Sequence, residues 1–368
     1  MKHNASRCAI FRLVTGWLVV VACIGAASLN AHTADLRPGA HTGALRGALY
    51  RIDVPTDWNG DLVMIMHGYQ PVGVPIKSPM TPADVTPIFL KQGYAVAQSQ
   101  YASQGWAVGD AMADNERLRQ YFTHTFAHPA HTYVYGFSLG GLATAASIER
   151  YPHAYTGALI VCGATFSTPE LAERALLTPL VAFDALIPGV LPDLAAPDSP
   201  TFIPPDVFVK ALQAHPKEAA LLEQRLQETP ETLSTLSLYY MVLRELEQRA
   251  GGMPVDNTKT VYHGFGNDAE FNRQVHRYAG SPVAMAYAAR NVTLTGHIST
   301  PVVMQWNAFD PTIPSRFHDI YPNLVRAAAN DKWMTVLPPV GQGHCNFTDE
   351  QISAAFHALV HKAGTEQH

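Results

Sequence analysis

Thr132-Tyr133-Val134-Tyr135-Gly136-Phe137-Ser138-Leu139-Gly140-Gly141-Leu142-Ala143 reads as a short apolar strand that runs into a small-residue helix through a single serine. Glycines stand two residues to either side of Ser138, at Gly136 and Gly140. That spacing lets the backbone turn tightly with no side chain in the way, and the turn pushes the serine hydroxyl out above the sheet edge. A bare Gly-x-Ser-x-Gly pattern is common. The strand before it and the helical stretch 141–150 after it supply the context that a nucleophile elbow needs.

Outward from this turn, strand and helix alternate. Residues 62–66 are a continuous apolar run of the buried-strand type, residues 48–54 alternate apolar and polar, and residues 94–98 and 158–162 also read as strands. Helices are expected over 83–92, closed by Gly93, and over 110–126, with Leu118, Phe122 and Phe126 on one face. This order predicts an α/β fold built on a doubly wound, mostly parallel sheet. The alternation then breaks: eight prolines fall within 167–205, and helical segments follow with no strand between them. Residues 167–295 are therefore expected to be a proline-rich helical cap inserted into a core made of 32–166 and 296–368. Its longest helix should start at Thr229-Pro230, stop before Gly251-Gly252, and bury Leu236, Tyr239, Tyr240, Leu243 and Leu246. Strands return at 302–306 and 333–337, and a helix over 348–361 closes the chain.

The chain has 368 residues, 47% of them hydrophobic, enough for a sizeable core. Lys2, Arg7 and Arg12 precede the apolar run 13–22, and small residues continue to Ala31, so residues 1–31 read as a signal peptide with cleavage after Ser28 or Ala31. The apolar run is too short to span a bilayer. A rival reading takes Val20-Val21-Ala22-Cys23 as a loose lipoprotein box, with Cys23 a lipidated first residue and the one route to a membrane. Removing residues 1–31 takes away three positive charges and moves the formal charge from -5 to -5 - 3 = -8. An acidic periplasmic or secreted product is the expectation, and nucleic acid is not an expected partner. Cys8 and Cys23 lie in the leader, which leaves Cys162 and Cys345 in an oxidising compartment; one disulfide or two free thiols are both open.

A serine hydroxyl needs a general base, and the base needs an orienting carboxylate. Asp310 follows the strand 302–306 within Asn307-Ala308-Phe309-Asp310-Pro311-Thr312-Ile313-Pro314, with Asp319 as fallback. His344 sits in Gly341-Gln342-Gly343-His344-Cys345, a glycine-flanked turn between the last strand and the last helix. With these residues in this order the chain resembles the α/β-hydrolase fold superfamily, from about Ala48 to the end, with the cap as the divergent part. The resemblance implies that Ser138 attacks, His344 shuttles the proton and Asp310 orients His344. It also implies an oxyanion hole from the N–H groups of Leu139 and Tyr69, the latter in His67-Gly68-Tyr69, which is similar to the family's His-Gly-x element. The expected activity is serine hydrolysis of carboxylic esters, small or polymeric, with no cofactor and no metal.

Tyr69, Trp106 and Phe137 are expected to wall the substrate pocket. Tannases and feruloyl esterases carry bridged cysteines before the serine and after the histidine. Here Cys345 follows His344 but Phe137 precedes Ser138, which argues against that family. A serine peptidase of the prolyl oligopeptidase or aminopeptidase kind would share every catalytic residue and would need cap carboxylates to grip an amine. Glu223, Glu228 and Glu245 look like helix-surface charges instead. Transfer of the acyl group to another alcohol and a non-catalytic binding role complete the alternatives. His124, His128 and His131 read as a solvated connection rather than a ligand set.

Overall fold

The computed structural model describes residues 37–166 and 170–365. The leader reading at residues 1–31, with Cys8 and Cys23, lies outside the described residues. Eight strands form one sheet: β1 (Gly39–Leu45), β2 (Ala48–Val54), β3 (Leu62–Met66), β4 (Ala95–Ser99), β5 (Thr132–Phe137), β6 (Gly157–Val161), β7 (Val302–Gln305) and β8 (Met334–Val336). Their order across the sheet is β1-β2-β4-β3-β5-β6-β7-β8. β1 and β2 join antiparallel, and every pair from β4 to β8 is parallel. The doubly wound, mostly parallel sheet expected from the alternation is present.

Burial on both faces explains the unbroken apolar runs of β3 and β6, whose residues are all buried. On β5 the two-residue period divides the side chains. Val134 joins the core beneath α2 (Val108–Thr125) and α3 (Leu139–Arg150). Tyr133 and Tyr135 join the core on the other face, beneath α1 (Thr86–Leu90) and the last helix, α12 (Asp349–Thr365). The chain leaves β3 toward β4 on one side and returns on the other as β5. A crevice therefore opens at the carboxyl ends of β3 and β5, where open α/β sheets bind their ligands.

Between β6 and β7 the described residues form helices only: a π-helical stretch Glu170–Leu177, then α4 (Thr178–Leu186), α5 (Pro205–Ala214), α6 (Pro216–Leu226), α7 (Pro230–Leu233), α8 (Leu236–Ala250), α9 (Asp268–Gln274) and α10 (Pro282–Val292). α10 packs on α2, α3 and α8. After β7, α11 (Ile320–Ala327) precedes β8.

Three local expectations need correction. The helix expected from Thr229 to Gly251 is two helices. Thr229 caps α7 as foreseen, accepting from Thr232 N–H while Thr232 Oγ1 accepts from Thr229 N–H, but Thr235 Oγ1 then bonds back to Thr232 O and the chain breaks before α8. Short hydroxyl side chains compete for the backbone in this way. The helix expected over 83–92 shortens to α1 because Pro87 belongs in a first turn. β1 escaped notice because its small and polar residues carry no apolar period. It is an edge strand held by β2, with Gly43 opposite Tyr50.

The first turn of α3 lies directly on the end of β3. A Cβ at Gly140 would run into the carbonyl oxygens of Met66 and His67, and one at Gly136 into Thr144 Oγ1 and Gly140 O. Backbone cannot yield as a flexible side chain can, so Gly140→Ala is expected to destabilise the fold by about 3 kcal/mol or more, read as a lowered urea midpoint. An unchanged midpoint would show that the turn has room to spare.

Candidate active site

Ser138 occupies the apex of the turn between β5 and α3 with φ 54° and ψ -124°, a conformation that L-residues rarely adopt. Such a residue costs about 1–3 kcal/mol and persists only where its surroundings hold it. Here Ser138 N–H donates to Val161 O at 3.3 Å, while Ser138 O accepts from Ala164 N–H at 3.1 Å and Gly141 N–H at 2.9 Å.

Two loops bring the partners to the serine. Asp310 is buried, with its side chain fully shielded from solvent. Its Oδ1 accepts from the N–H groups of Thr312 at 2.8 Å and Ile313 at 3.0 Å, capping the turn at Pro311. That same anchoring leaves Oδ2 to accept from His344 Nδ1–H at 2.8 Å. A carboxylate can only accept, so Nδ1 carries the proton and Nε2 is left as acceptor for the Ser138 hydroxyl, also at 2.8 Å. The loops are stitched together independently of the triad. Ala308 N–H donates to Gly341 O, Gly343 N–H to Phe309 O, and the Asn307 amide to Val340 O and Asn346 O.

Cys162 and Cys345 are joined in a disulfide with Cα atoms 5.3 Å apart, across a sequence separation of 183 residues. The bridge ties the residue after His344 to the end of β6, the strand beside β5. Fallback Asp319 is not drawn into the triad; it precedes α11.

Tyr69 and Leu139 flank Ser138 in one cleft, and among the described residues neither N–H donates to a protein acceptor. Free donors beside a nucleophile suit an oxyanion. The loop that carries Tyr69 is held from behind. His67 stacks on Tyr101 at 3.9 Å between ring centroids, its Nδ1 lies 2.7 Å from Gly68 O, and the Tyr101 hydroxyl donates to His67 O at 3.1 Å. Burial holds the His67 imidazole below the ordinary value of 6.5.

The cleft over Ser138 is a narrow apolar slot of about 60 Å³. Tyr69 and Trp106 line it as expected. Phe137 does not: the two-residue period of β5 turns its ring to the other face of the sheet, against Tyr135 and into a separate cleft with Cys345 and Phe347. The remaining walls escaped the sequence reading. They include Phe166 and Leu176 around the π-helical stretch, Tyr239 and Val242 on α8, and Ile313 and Phe317 beyond Asp310. An apolar stripe on α8 signals burial but not what it is buried against.

Two of the three cap glutamates also differ from expectation. Glu245 is buried, not on the surface; it accepts from Trp106 N–H at 2.6 Å and pairs with Arg249 at 2.9 Å, fixing a wall of the slot. Glu228 is buried too, 2.5 Å from Arg316. Both sit where α8 and its neighbours press on the core, which spacing alone could not reveal. His124 bonds Gln120 O at 2.6 Å within its own helix, whereas His131 bonds Asp61 at 3.0 Å, tying the start of β5 to the turn before β3.

No protein-family model matches the chain, and no curated protein matches it. Among solved structures it is similar to Est1E from Butyrivibrio proteoclasticus, at 12% identity over 89% of this chain and 99% of that one, with a TM-score of 0.44. It is similar to a metagenome-derived lipolytic enzyme of the LipS and LipT pair at 15% identity, 86% and 98% coverage and a TM-score of 0.45. A puromycin-hydrolyzing peptidase from Mycobacterium tuberculosis matches at 15% identity, over 89% of this chain and 39% of that one, with a TM-score of 0.44.

Two outcomes are expected. Replacing both bridged cysteines with serine should lower stability by about 5 kcal/mol on chain-entropy grounds, seen in the urea midpoint, since the closed loop is long. The second concerns acid. His318, stacked on Trp306, is also lowered by burial. His67 and His318 thus stay neutral in the fold while the unfolded chain takes up their protons first. Stability should fall as pH drops through about 6.5 and below, with His318→Gln flattening part of the slope. A pH-independent midpoint from about pH 7.5 to about pH 5 would contradict this.

Proposed function

From a chain with the α/β-hydrolase fold and a Ser138–His344–Asp310 hydrogen-bonded line at the carboxyl edge of its sheet, we propose a serine hydrolase of carboxylic esters that works outside the cytoplasm. The observation that carries the proposal is that line: two contacts of 2.8 Å in series from a hydroxyl to a buried, doubly anchored carboxylate. Ser138 Oγ attacks the ester carbon as its proton passes to His344 Nε2, and Asp310 steadies the imidazolium. The charge that develops on the carbonyl oxygen meets the N–H groups of Tyr69 and Leu139, each such donor being worth about 3 kcal/mol in comparable sites. His344 then returns the proton to the leaving alkoxide. The acyl-enzyme is cleared by water through the same steps in reverse roles, with no cofactor required.

Two features support an ester over a peptide. The slot is narrow and apolar, fitted to a slim acyl group. A peptidase that grips an amine needs a carboxylate free to do so, and Glu228 and Glu245 are already paired with Arg316 and Arg249. The Cys162–Cys345 bridge supports an oxidising compartment.

The test is p-nitrophenol release from short and medium p-nitrophenyl esters by the wild type beside Ser138→Ala. Turnover is expected in the wild type and a loss of about a million-fold in the variant. Equal release by both proteins would remove Ser138 from the reaction, and release by neither would turn attention to aminoacyl amides.

A further inference from the structure

Phe317 belongs to two cavities at once. With Val242 and Ile313 it lines the apolar slot of about 60 Å³ over Ser138, and with Leu226, Val261 and Tyr262 it lines a second, wider cleft of about 380 Å³. Among the described residues no other side chain lines both. The two spaces therefore meet at one buried ring.

That ring is held in place by its neighbours. Phe166 meets it edge-on at 4.8 Å between centroids, and the Arg316 guanidinium lies over it at 4.3 Å. Arg316 is itself paired with buried Glu228 at 2.5 Å. The 3-10 turn Ser315–Phe317 that carries the ring is closed by Phe317 N–H, which donates to Pro314 O at 3.0 Å. Closely packed interiors do not yield easily, so the ring stands as a fixed partition. Its position limits what fits over the serine. A cavity of about 150 Å³ holds one benzene ring, and on that scale the 60 Å³ slot takes about two or three carbons.

Resting on the serine-hydrolase reading, we infer that Phe317 ends the acyl slot and sets the length of the acyl group, so that the substrates are esters of short aliphatic acids of up to about four carbons, the carbonyl included. A longer chain has to displace a ring clamped between Phe166 and a paired guanidinium. Without the ring, the slot would run on into the second cleft, where Leu226, Val261 and Tyr262 offer apolar wall to a longer chain. One side chain thus separates a short-chain enzyme from a medium-chain one.

The experiment reads chain length in turnover and in binding. The acetate, butyrate and octanoate esters of p-nitrophenol are hydrolysed by the wild type, Phe317→Ala, Phe317→Leu and Val242→Ala, each checked for folding by near-UV circular dichroism. The wild type should favour the butyrate over the octanoate by at least about tenfold in kcat/KM. Phe317→Ala should raise kcat/KM for the octanoate by about fourfold for each methylene that gains apolar wall, and Phe317→Leu, the milder change, should move part of the way. Val242→Ala widens the slot on a side that does not line the second cleft, and should gain no more than about one methylene's worth. A wild type that takes the octanoate as well as the butyrate, a chain-length profile unchanged in the folded Phe317 variants, or an equal gain from Val242→Ala would each overturn the assignment. Methyl butanoate and methyl octanoate titrated calorimetrically into Ser138→Ala, with and without Phe317→Ala, separate the two questions. No turnover of any ester by the wild type would remove the hydrolase reading, while the shift of the binding ratio toward the octanoate on removing the ring, or its absence, still decides the partition.

Discussion

The close approach of the first turn of α3 to the end of β3 is the constraint on which the site depends. Gly140 lies where any side chain would strike the carbonyls of Met66 and His67, and Gly136 leaves the space that Thr144 and the Gly140 carbonyl occupy. Only with both positions bare can β5 pass into α3 over a single residue. That residue, Ser138, absorbs the conformational strain. The same contact sets the Tyr69 loop beside the serine, because the carbonyls that Gly140 meets belong to the residues leading into it. One packing event thus positions a hydroxyl and two free N–H groups.

His344 and Asp310 arrive by a different device. The loops after β7 and β8 both leave the sheet for irregular turns. Their backbones pair with one another through Ala308, Phe309, Gly341 and Gly343, and the Asn307 amide spans the gap. Asp310 is fixed by its own turn before His344 reaches it. The Cys162–Cys345 bridge then fastens the His344 loop to the end of β6, the strand beside β5. These ties come from residues outside the Ser138–His344–Asp310 line, and they join two irregular turns into a frame for the imidazole.

The helical segment between β6 and β7 completes the cleft. α8 lays Leu238, Tyr239 and Val242 over Ser138, and Glu245 one turn further on reaches down to the Trp106 backbone. The wall contributed by the core and the wall contributed by the helices are therefore coupled through one buried carboxylate and its arginine.

The sequence by itself determined the elements whose signal is local. The apolar runs placed β2 and β3, and the other strands within a residue or two. The glycine spacing fixed the turn at Ser138, and the order Ser, Asp, His along the chain named the three residues now found in contact. β1 was not legible because an edge strand needs no apolar face, and α7 and α8 read as one helix because their break is made by hydroxyl side chains rather than by glycine or proline. Tertiary structure alone decided which way each side chain pointed and what it met. The pleat sends Phe137 away from the cleft that its neighbour Ser138 faces. Glu228 and Glu245 look solvated at helical spacing yet lie buried, because burial depends on the element that packs against them, and that element is distant in sequence. The pairing of Cys162 with Cys345 and the walls of the slot have the same origin. They are contacts between segments far apart in the chain, which no local period records.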